Sequence, residues 1–294
     1  MSRIAVIIAS RGRPEDLRLW LDHAARQTLR PALMIWSVHS KEDVPQGDLG
    51  KPAVEPRICW SKLGTCAQRN TGIEHVPADI DIVAFFDDDY VPTTNCLEGI
   101  ARAFEHHPDA IGFTGHVIAD GITTAGISVD EANRLVTEYE KGRLPEEPTV
   151  APSRGLYGCN MAFRYSAIGE VRFDEQLPLY GWQEDVDFSN RLSARGRICK
   201  TNAFAGVHRG AKGGRTSGKR FGYSQIANPV YLSRKKTMTH DFAAGLIARN
   251  FVANHGKMFF PEPWVDRRGR VLGNWIAIAD LVRGRLHPMR AAEL

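Results

Sequence analysis

The chain has 294 residues, 43% hydrophobic and 24% charged, enough to bury a sizeable core in one large domain with elaborations or two closely joined ones. A formal net charge of +4 is too small to point to nucleic acid, and no apolar run approaches the length of a membrane span. Five widely spaced cysteines without a Cys-x-x-Cys pair indicate neither a disulfide framework nor a zinc knuckle. The N-terminal residues lack the apolar stretch and cleavage site of a secretory signal, so a reducing cytosol is the expected setting.

Residues 4–9 form a short apolar run that reads as a buried parallel strand, and Pro14, Glu15 and Asp16 then open a helix whose Leu17, Trp20, Leu21 and Ala24 share a face. Residues 33–38 supply a second strand, 64–75 a helix, 81–86 an acidic-ended strand and 96–106 another helix. Strands alternating with helices predict an α/β fold, a Rossmann-like, mostly parallel sheet flanked by helices. In such sheets ligands bind beyond the carboxyl ends of the strands, where residues 10–13 and 87–89 both emerge. From 119 to 153 periodicity fades, and Pro145, Pro148 and Pro152 break it further, so a surface insertion is expected there.

Three chemically loaded groups follow from this frame. The strand ending Phe85-Phe86 runs into Asp87-Asp88-Asp89, and like charges so close raise one another's pKa unless a cation offsets them; solvated turn caps are the alternative. Mg2+ or Mn2+ bound to a phosphate is the expected cation. A second acidic group, Glu184, Asp185 and Asp187, sits in the first turn of a predicted helix, where carboxylates also complement the helix dipole. Trp182 beside it is a platform for the apolar face of a sugar. His208 closes the strand-like run 199–207, and a Gly-rich basic loop follows over 210–220, a candidate mobile flap over a diphosphate with Arg215, Lys219 and Arg220 as clamps; a solvated basic loop is the alternative. Between Phe188 and His240 there are twelve Lys or Arg residues and no Asp or Glu, an anion-friendly stretch suited to a diphosphate or an anionic membrane surface.

Taken in order, these motifs resemble those of the family 2 glycosyltransferases of the GT-A fold, particularly bacterial members that build surface polysaccharides. Ala9-Ser10-Arg11-Gly12-Arg13 is similar to the first nucleotide-contacting loop, Arg69-Asn70-Thr71-Gly72 to the Arg-Asn-x-Gly helix motif, and Asp87-Asp88-Asp89 to the Asp-x-Asp motif. Gly158-Cys159-Asn160-Met161 is similar to the Gly-x-Asn-Met segment near the donor sugar, Glu184-Asp185 to the acceptor motif, and His208 to the late metal-binding His. One departure concerns the base: where many members place an acid after the second strand, this chain continues Val38-His39-Ser40-Lys41.

The resemblance implies metal-dependent inverting transfer of a sugar from a nucleotide diphosphate, with a UDP-sugar the leading donor, to a glycan or polyprenyl-diphosphate-linked acceptor. It implies Asp89 and His208 as metal ligands and Asp185 as the base, with Glu184 the second candidate for base or an acceptor contact beside Trp182. Ala9, Ser10, Arg11, Arg13, Arg69, Asp87, Asp88, Gly158, Asn160, Arg215 and Lys219 are implied on the donor side. The expected division is a GT-A domain over 1–222, with a nucleotide-binding half over 1–118 and an acceptor and metal half over 154–222. A helical C-terminal extension over 223–294 follows. Within it Leu272, Trp275, Ile276, Ala279 and Val282 share one helix face, expected to pack into a core. A lipid-linked acceptor would favour a membrane-surface helix instead, and with it a location at the inner face of the cytoplasmic membrane. The rivals are a nucleotidyltransferase making sugar nucleotides, which would want a more Gly-rich first loop than 10–13, and a non-catalytic carbohydrate-binding protein, which has no use for both acidic groups.

Overall fold

The computed structural model describes residues 2–142, 148–213 and 216–294; Pro145 and Arg215 lie outside the described residues. The chain divides into two compact units. Met1–Leu63, Ala67–Arg172 and Leu192–Gly214 form the first, and Gly64–Cys66, Phe173–Arg191 and Arg215–Leu294 the second.

The first unit contains β1 (Ile4–Ser10), α1 (Pro14–Arg26), β2 (Leu33–Val38), β3 (Pro56–Trp60), all but the first two residues of α2 (Thr65–Glu74), β4 (Ile82–Asp87), β5 (Tyr90–Pro92), α3 (Cys96–His106), β6 (Ala110–Asp120), α4 (Val129–Lys141), β7 (Val150–Pro152), β8 (Asn160–Arg164), α5 (Tyr165–Ile168) and β9 (Arg197–His208). The strands form one sheet in the order β3-β2-β1-β4-β8-β6-β9-β5, with β7 added against β9. Pairing is parallel from β3 to β4; β8 is then antiparallel to both β4 and β6, and β9 returns parallel to β6. Central β1 and β4 read as unbroken apolar runs because helices cover both faces of such a sheet. Pro14 in the first turn starts α1, and its buried Leu17, Trp20 and Ala24 join Ile8, Phe86 and Tyr90 in the main core. Trp20 packs on Phe86 at 5.1 Å between ring centroids and donates its indole N–H to the Asp88 carbonyl at 3.1 Å, so α1 holds the acidic turn from below.

Two sequence expectations about loops fail. The stretch after residue 119 is not an irregular insertion: it carries α4, capped by Ser128, whose hydroxyl accepts from the Glu131 N–H. Ala132 and Val136, one turn apart, bury themselves with Val91 and Val207. Of the described residues in the 210–220 stretch, 210–213 and 216–217 are irregular and the rest are helical. Ser217 caps α7 (Gly218–Arg234) and accepts from the Arg220 N–H, so Lys219 and Arg220 stand in a helical first turn and not on a flap.

The second unit is helical, with α6 (Glu184–Leu192, its last residue grouped with the first unit), α7, α8 (His240–Lys257) and α9 (Arg267–Val282). The expected boundary at residue 222 falls inside α7. Helices α7 and α9 cross closely because Gly222 and Gly273 face the opposing backbone: a Cβ on Gly222 would stand 2.2 Å from the Arg270 carbonyl oxygen, one on Gly273 2.0 Å from that of Lys219. Tyr223, Ile226, Ala227 and Ala277 form the core between them. Asn254 donates to Gln225 at 2.8 Å and to Asn274 at 3.0 Å, and Asn274 donates to the Gly222 carbonyl at 2.7 Å, satisfying the buried amides.

The expected core face of α9 is right only in part: Ile276 packs against the helical core, but the fully buried face is another. The helix buries Gly273, Asn274, Ala277 and Asp280, while Leu272 and Trp275 remain 53% exposed and Val282 83%. Small residues permit the close crossing, and Asp280 finds Tyr223, Arg285 and Arg290 inside, so the polar stripe wins the interior.

Candidate active site

β4 ends at Asp87, and Asp88 and Asp89 turn the chain into β5. β9 runs antiparallel to β5 and parallel to β6, so that both Tyr90 and Asp120 stand opposite His208. This register brings Asp87, Asp89 and His208 together, one ligand atom from each lying within 4.8 Å of the others. His208 Nε2 is 3.5 Å from Asp89 Oδ1 and 3.7 Å from Asp87 Oδ2.

The other imidazole nitrogen is fixed. Nδ1 lies 2.9 Å from Asp120 Oδ1 and 3.2 Å from the Tyr157 hydroxyl, which itself donates to Asp120 Oδ2 at 2.8 Å. With Nδ1–H donated to Asp120, Nε2 is the nitrogen that faces the two carboxylates. Neither Asp120 nor Tyr157 stood out in the sequence; the only signal was an Asp at the end of a strand.

Charge is balanced tightly in this corner. Burial disfavours the His208 imidazolium, but the hydrogen bond to Asp120, then Asp89 and the charge of Asp87, outweigh it and push its pKa up to about 10. Burial likewise opposes the Asp89 carboxylate, yet His208, Arg13 and the Ala211 N–H, donating at 2.6 Å, hold it below the usual range. Asp88 is enclosed: Ser10 Oγ donates to it at 2.6 Å and Arg13 Nη1 lies 3.0 Å away, and burial holds its carboxyl above the usual range against the pull of Arg13. Arg13 Nη1 also reaches Asp89 at 3.2 Å, so one guanidinium serves both acids.

The donor set of two carboxylates and one imidazole, with Asp87 partly exposed, fits Mg2+ or Mn2+ with coordination positions left for oxygens from outside the protein. The sequence named Asp89 and His208 as ligands and set Asp87 on the donor side; the geometry places Asp87 beside both.

The remaining donor-side residues take distinct places. Buried Arg69 donates from Nη2 to Asp87 at 3.0 Å and to the Gly158 carbonyl at 2.9 Å, joining α2, the end of β4 and the approach to β8. Asn160 is fully buried, accepting from Thr114 Oγ1 at 2.7 Å and donating to the Tyr90 hydroxyl at 3.2 Å. Ala9 stands opposite Asp87 across the β1–β4 pair, and Arg11 is exposed. Gly12, at φ +64°, donates its N–H at 2.6 Å to buried Asp43. Asp43 also accepts from the His39 and Ser40 N–H groups, so an acid does follow the second strand, five residues on, where it braces the first loop. A Cβ on Gly121 would meet the Arg209 carbonyl oxygen at 2.0 Å, and Gly210, at φ +64°, approaches the same turn, so the chain beyond His208 crosses the end of β6 backbone to backbone.

The acceptor motif lies in the second unit. Leu179, Gly181 and Gln183 all have positive φ, a tight reversal that ends at the start of α6. Gln183 and Leu179 are unusual there, and such conformations persist only where surroundings fix them. Asn228 on α7 does part of this, donating to the Trp182 carbonyl at 2.8 Å. Trp182 packs edge-on against Phe221 at 5.9 Å. Glu184 is buried, whereas Asp185 is partly exposed and accepts the Val186 N–H at 2.8 Å through Oδ1. Asp187 points elsewhere, bonded to Lys235, Thr237 and Arg191. Lys219 is half-buried in the first turn of α7.

A parallel Rossmann-like half, an acidic turn at its switch to antiparallel pairing and a His from the last strand define the fold class of GT-A glycosyltransferases, and residues 57–171 match the family model described as glycosyl transferase family 2. The chain has the fold of that family. Among solved structures it is similar to S. aureus TarS 1-349, with 11% identity, a TM-score of 0.53, and coverage of 96% of this chain and 92% of that one. The same TarS segment in complex with UDP-GlcNAc aligns equally well. Against a longer S. aureus TarS chain the identity is 12% and the TM-score 0.51, covering 89% of this chain but 44% of that one, so this chain spans less than half of it. At such identities the likeness speaks for the fold. No curated protein matches the sequence. Among the described residues no helix is long and apolar enough to cross a membrane.

Proposed function

We propose that the chain is a metal-dependent, inverting glycosyltransferase that moves a sugar from a nucleotide-diphosphate donor, a UDP-sugar above all, to a glycan or polyprenyl-diphosphate-linked glycan in surface polysaccharide synthesis, acting in the cytoplasm. The observation that carries this reading is the convergence of Asp87, Asp89 and His208 at the carboxyl end of β4, in a chain whose segment 57–171 matches a glycosyltransferase family. S. aureus TarS, which shares the fold, has been crystallised with UDP and with UDP-GlcNAc, and this supports the choice of donor.

Asp87, Asp89 and His208 would hold Mg2+ or Mn2+, which when bound neutralises charge growing on the leaving diphosphate. Asp120 and Tyr157 keep Nε2 of His208 turned to that place. Arg13 keeps Asp88 and Asp89 from repelling each other. Asp185 takes the proton from the acceptor hydroxyl as that oxygen bonds to the anomeric carbon; the carbon–oxygen bond to the diphosphate breaks, and its electron pair leaves with the nucleotide. Partial exposure favours Asp185 over buried Glu184, and the Val186 N–H fixes the plane of the Asp185 carboxylate. Trp182 offers its ring to the acceptor sugar.

The test is release of free nucleotide diphosphate from a panel of nucleotide sugars, with and without Mn2+, using wild type and Asp89→Asn. Mn2+-dependent release with one sugar nucleotide, lost in the variant, is expected. Release that ignores both metal and variant would overturn the reading.

A further inference from the structure

The second unit leaves an apolar surface without a partner. On α9 the exposed stripe runs Arg268, Leu272, Trp275 and Val282, at helical spacing, and Arg283 closes it. On α8 the exposed positions Phe242, Gly245, Arg249, Val252 and Gly256 repeat every three or four residues, and Phe259, just beyond the end of the helix, continues the spacing. Trp275 of α9 packs against α8, its ring 5.7 Å from Phe251 and 5.9 Å from His255. Between the helices, Phe259 is 71% exposed and Phe260 90%.

This connector is braced: Glu262 accepts from Lys257 at 2.6 Å and from two nitrogens of Arg267 at 2.9 Å. Two phenylalanines are thus held out into water by a fixed turn. Charge around them is mainly positive, with eight Lys or Arg against three Asp or Glu over residues 242–290, of which Asp266 caps α9 by accepting from the Gly269 N–H. Asp280 is spent internally on Arg285 and Arg290, and Glu262 on the brace. Arg249 and Arg283 are exposed and have no carboxylate partner among the described residues.

We propose that α8, α9 and their connector form a docking surface for an anionic lipid membrane, with Phe259 and Phe260 entering the headgroup boundary and Arg249, Arg268 and Arg283 meeting acidic headgroups. Exposed aromatics on a rigid turn within a basic rim match the composition of interfacial anchors, and the rim complements a negatively charged leaflet. The surface is independent of the transferase reading, although a lipid-linked acceptor would lie on the same membrane.

Flotation of the full chain with vesicles of phosphatidylcholine alone, or of equimolar phosphatidylcholine and phosphatidylglycerol, tests this. Binding to the anionic vesicles only, weakened by salt, is expected. Arg268→Gln and Arg283→Gln together should weaken it about 25-fold, on the order of fivefold per headgroup-facing arginine. Phe259→Ser with Phe260→Ser should abolish it while circular dichroism and metal-dependent nucleotide release stay at wild-type level, which separates this surface from the active site. Absence of binding to anionic vesicles, or binding indifferent to both double variants, overturns the proposal. So does a dimer in analytical ultracentrifugation that Phe260→Ser dissociates, since a second copy would then cover the face.

Discussion

The corner formed by Asp87, Asp89 and His208 should exchange a proton for a metal ion. With its pKa pushed up to about 10, His208 is an imidazolium throughout the neutral range in the metal-free protein, and that proton must leave before Nε2 can bind a cation. Each pH unit below the imidazole pKa therefore costs about tenfold in metal affinity, or about 1.4 kcal/mol. Between pH 8 and pH 6 the affinity for Mn2+ should fall about 100-fold, close to 2.7 kcal/mol, with about one proton released per ion bound. Calorimetric titration of the metal-free protein with Mn2+, in two buffers of different ionisation enthalpy at each pH, measures both quantities. His208→Gln should bind more weakly and release no proton. An affinity flat across this range, or release near zero in wild type, would refute either the imidazolium or its place among the ligands.

Other outcomes follow from the same geometry. Asp120→Ala removes the group that holds His208 Nδ1, and Mn2+ binding at pH 8 should weaken by about 10- to 100-fold. Asp185→Asn should lower sugar transfer by at least about 100-fold while leaving Mn2+-supported UDP binding unchanged, as calorimetry would detect; surviving turnover would place the base elsewhere. Because the His208 pKa is raised on folding, its contribution to metal-free stability is fully present below about pH 6.5 and lost as pH rises towards 10, so urea midpoints should fall across that interval. Val136→Ala should cost about 1 to 2 kcal/mol in urea unfolding, since α4 packs Val136 beside Val91 and Val207.

Much of the first unit was legible because its signals are local. The run 96–106 is a helix over those same residues, and β1, β2 and β4 begin or end within a residue of expectation, since continuous apolar runs between turn formers leave little choice. The helix α4 is hard to read from sequence because its amphipathic pattern is short, Ala132 and Val136 one turn apart, in a stretch that Pro145, Pro148 and Pro152 go on to break. Asp120 and Tyr157 were out of reach for another reason: they lie 88 and 51 residues from His208, and only the β6–β9 register and the loop entering β8 bring them to it. Asp43 had only the Ser40-x-x-Asp43 capping box to mark it, a local signal that says nothing of its bond to the distant Gly12 N–H. On α9, hydrophobicity was the wrong guide, since close approach at Gly222 and Gly273 rewarded small size over apolar area.

Tyr90 on one side and Asp120 on the other both stand level with His208, so the last residue of β9 is gripped by two neighbours. A slip of one position would turn the imidazole to the opposite face of the sheet. The cluster of Asp87, Asp89 and His208 therefore forms only in chains whose final strand has locked into place, and under the proposed metal binding a misassembled sheet could not be rescued by metal. In the correctly assembled chain, an ion at about 100 times its dissociation constant would add about 2.7 kcal/mol against unfolding. Cation occupancy would then act as an inspection of the finished sheet, retaining the chains that passed it.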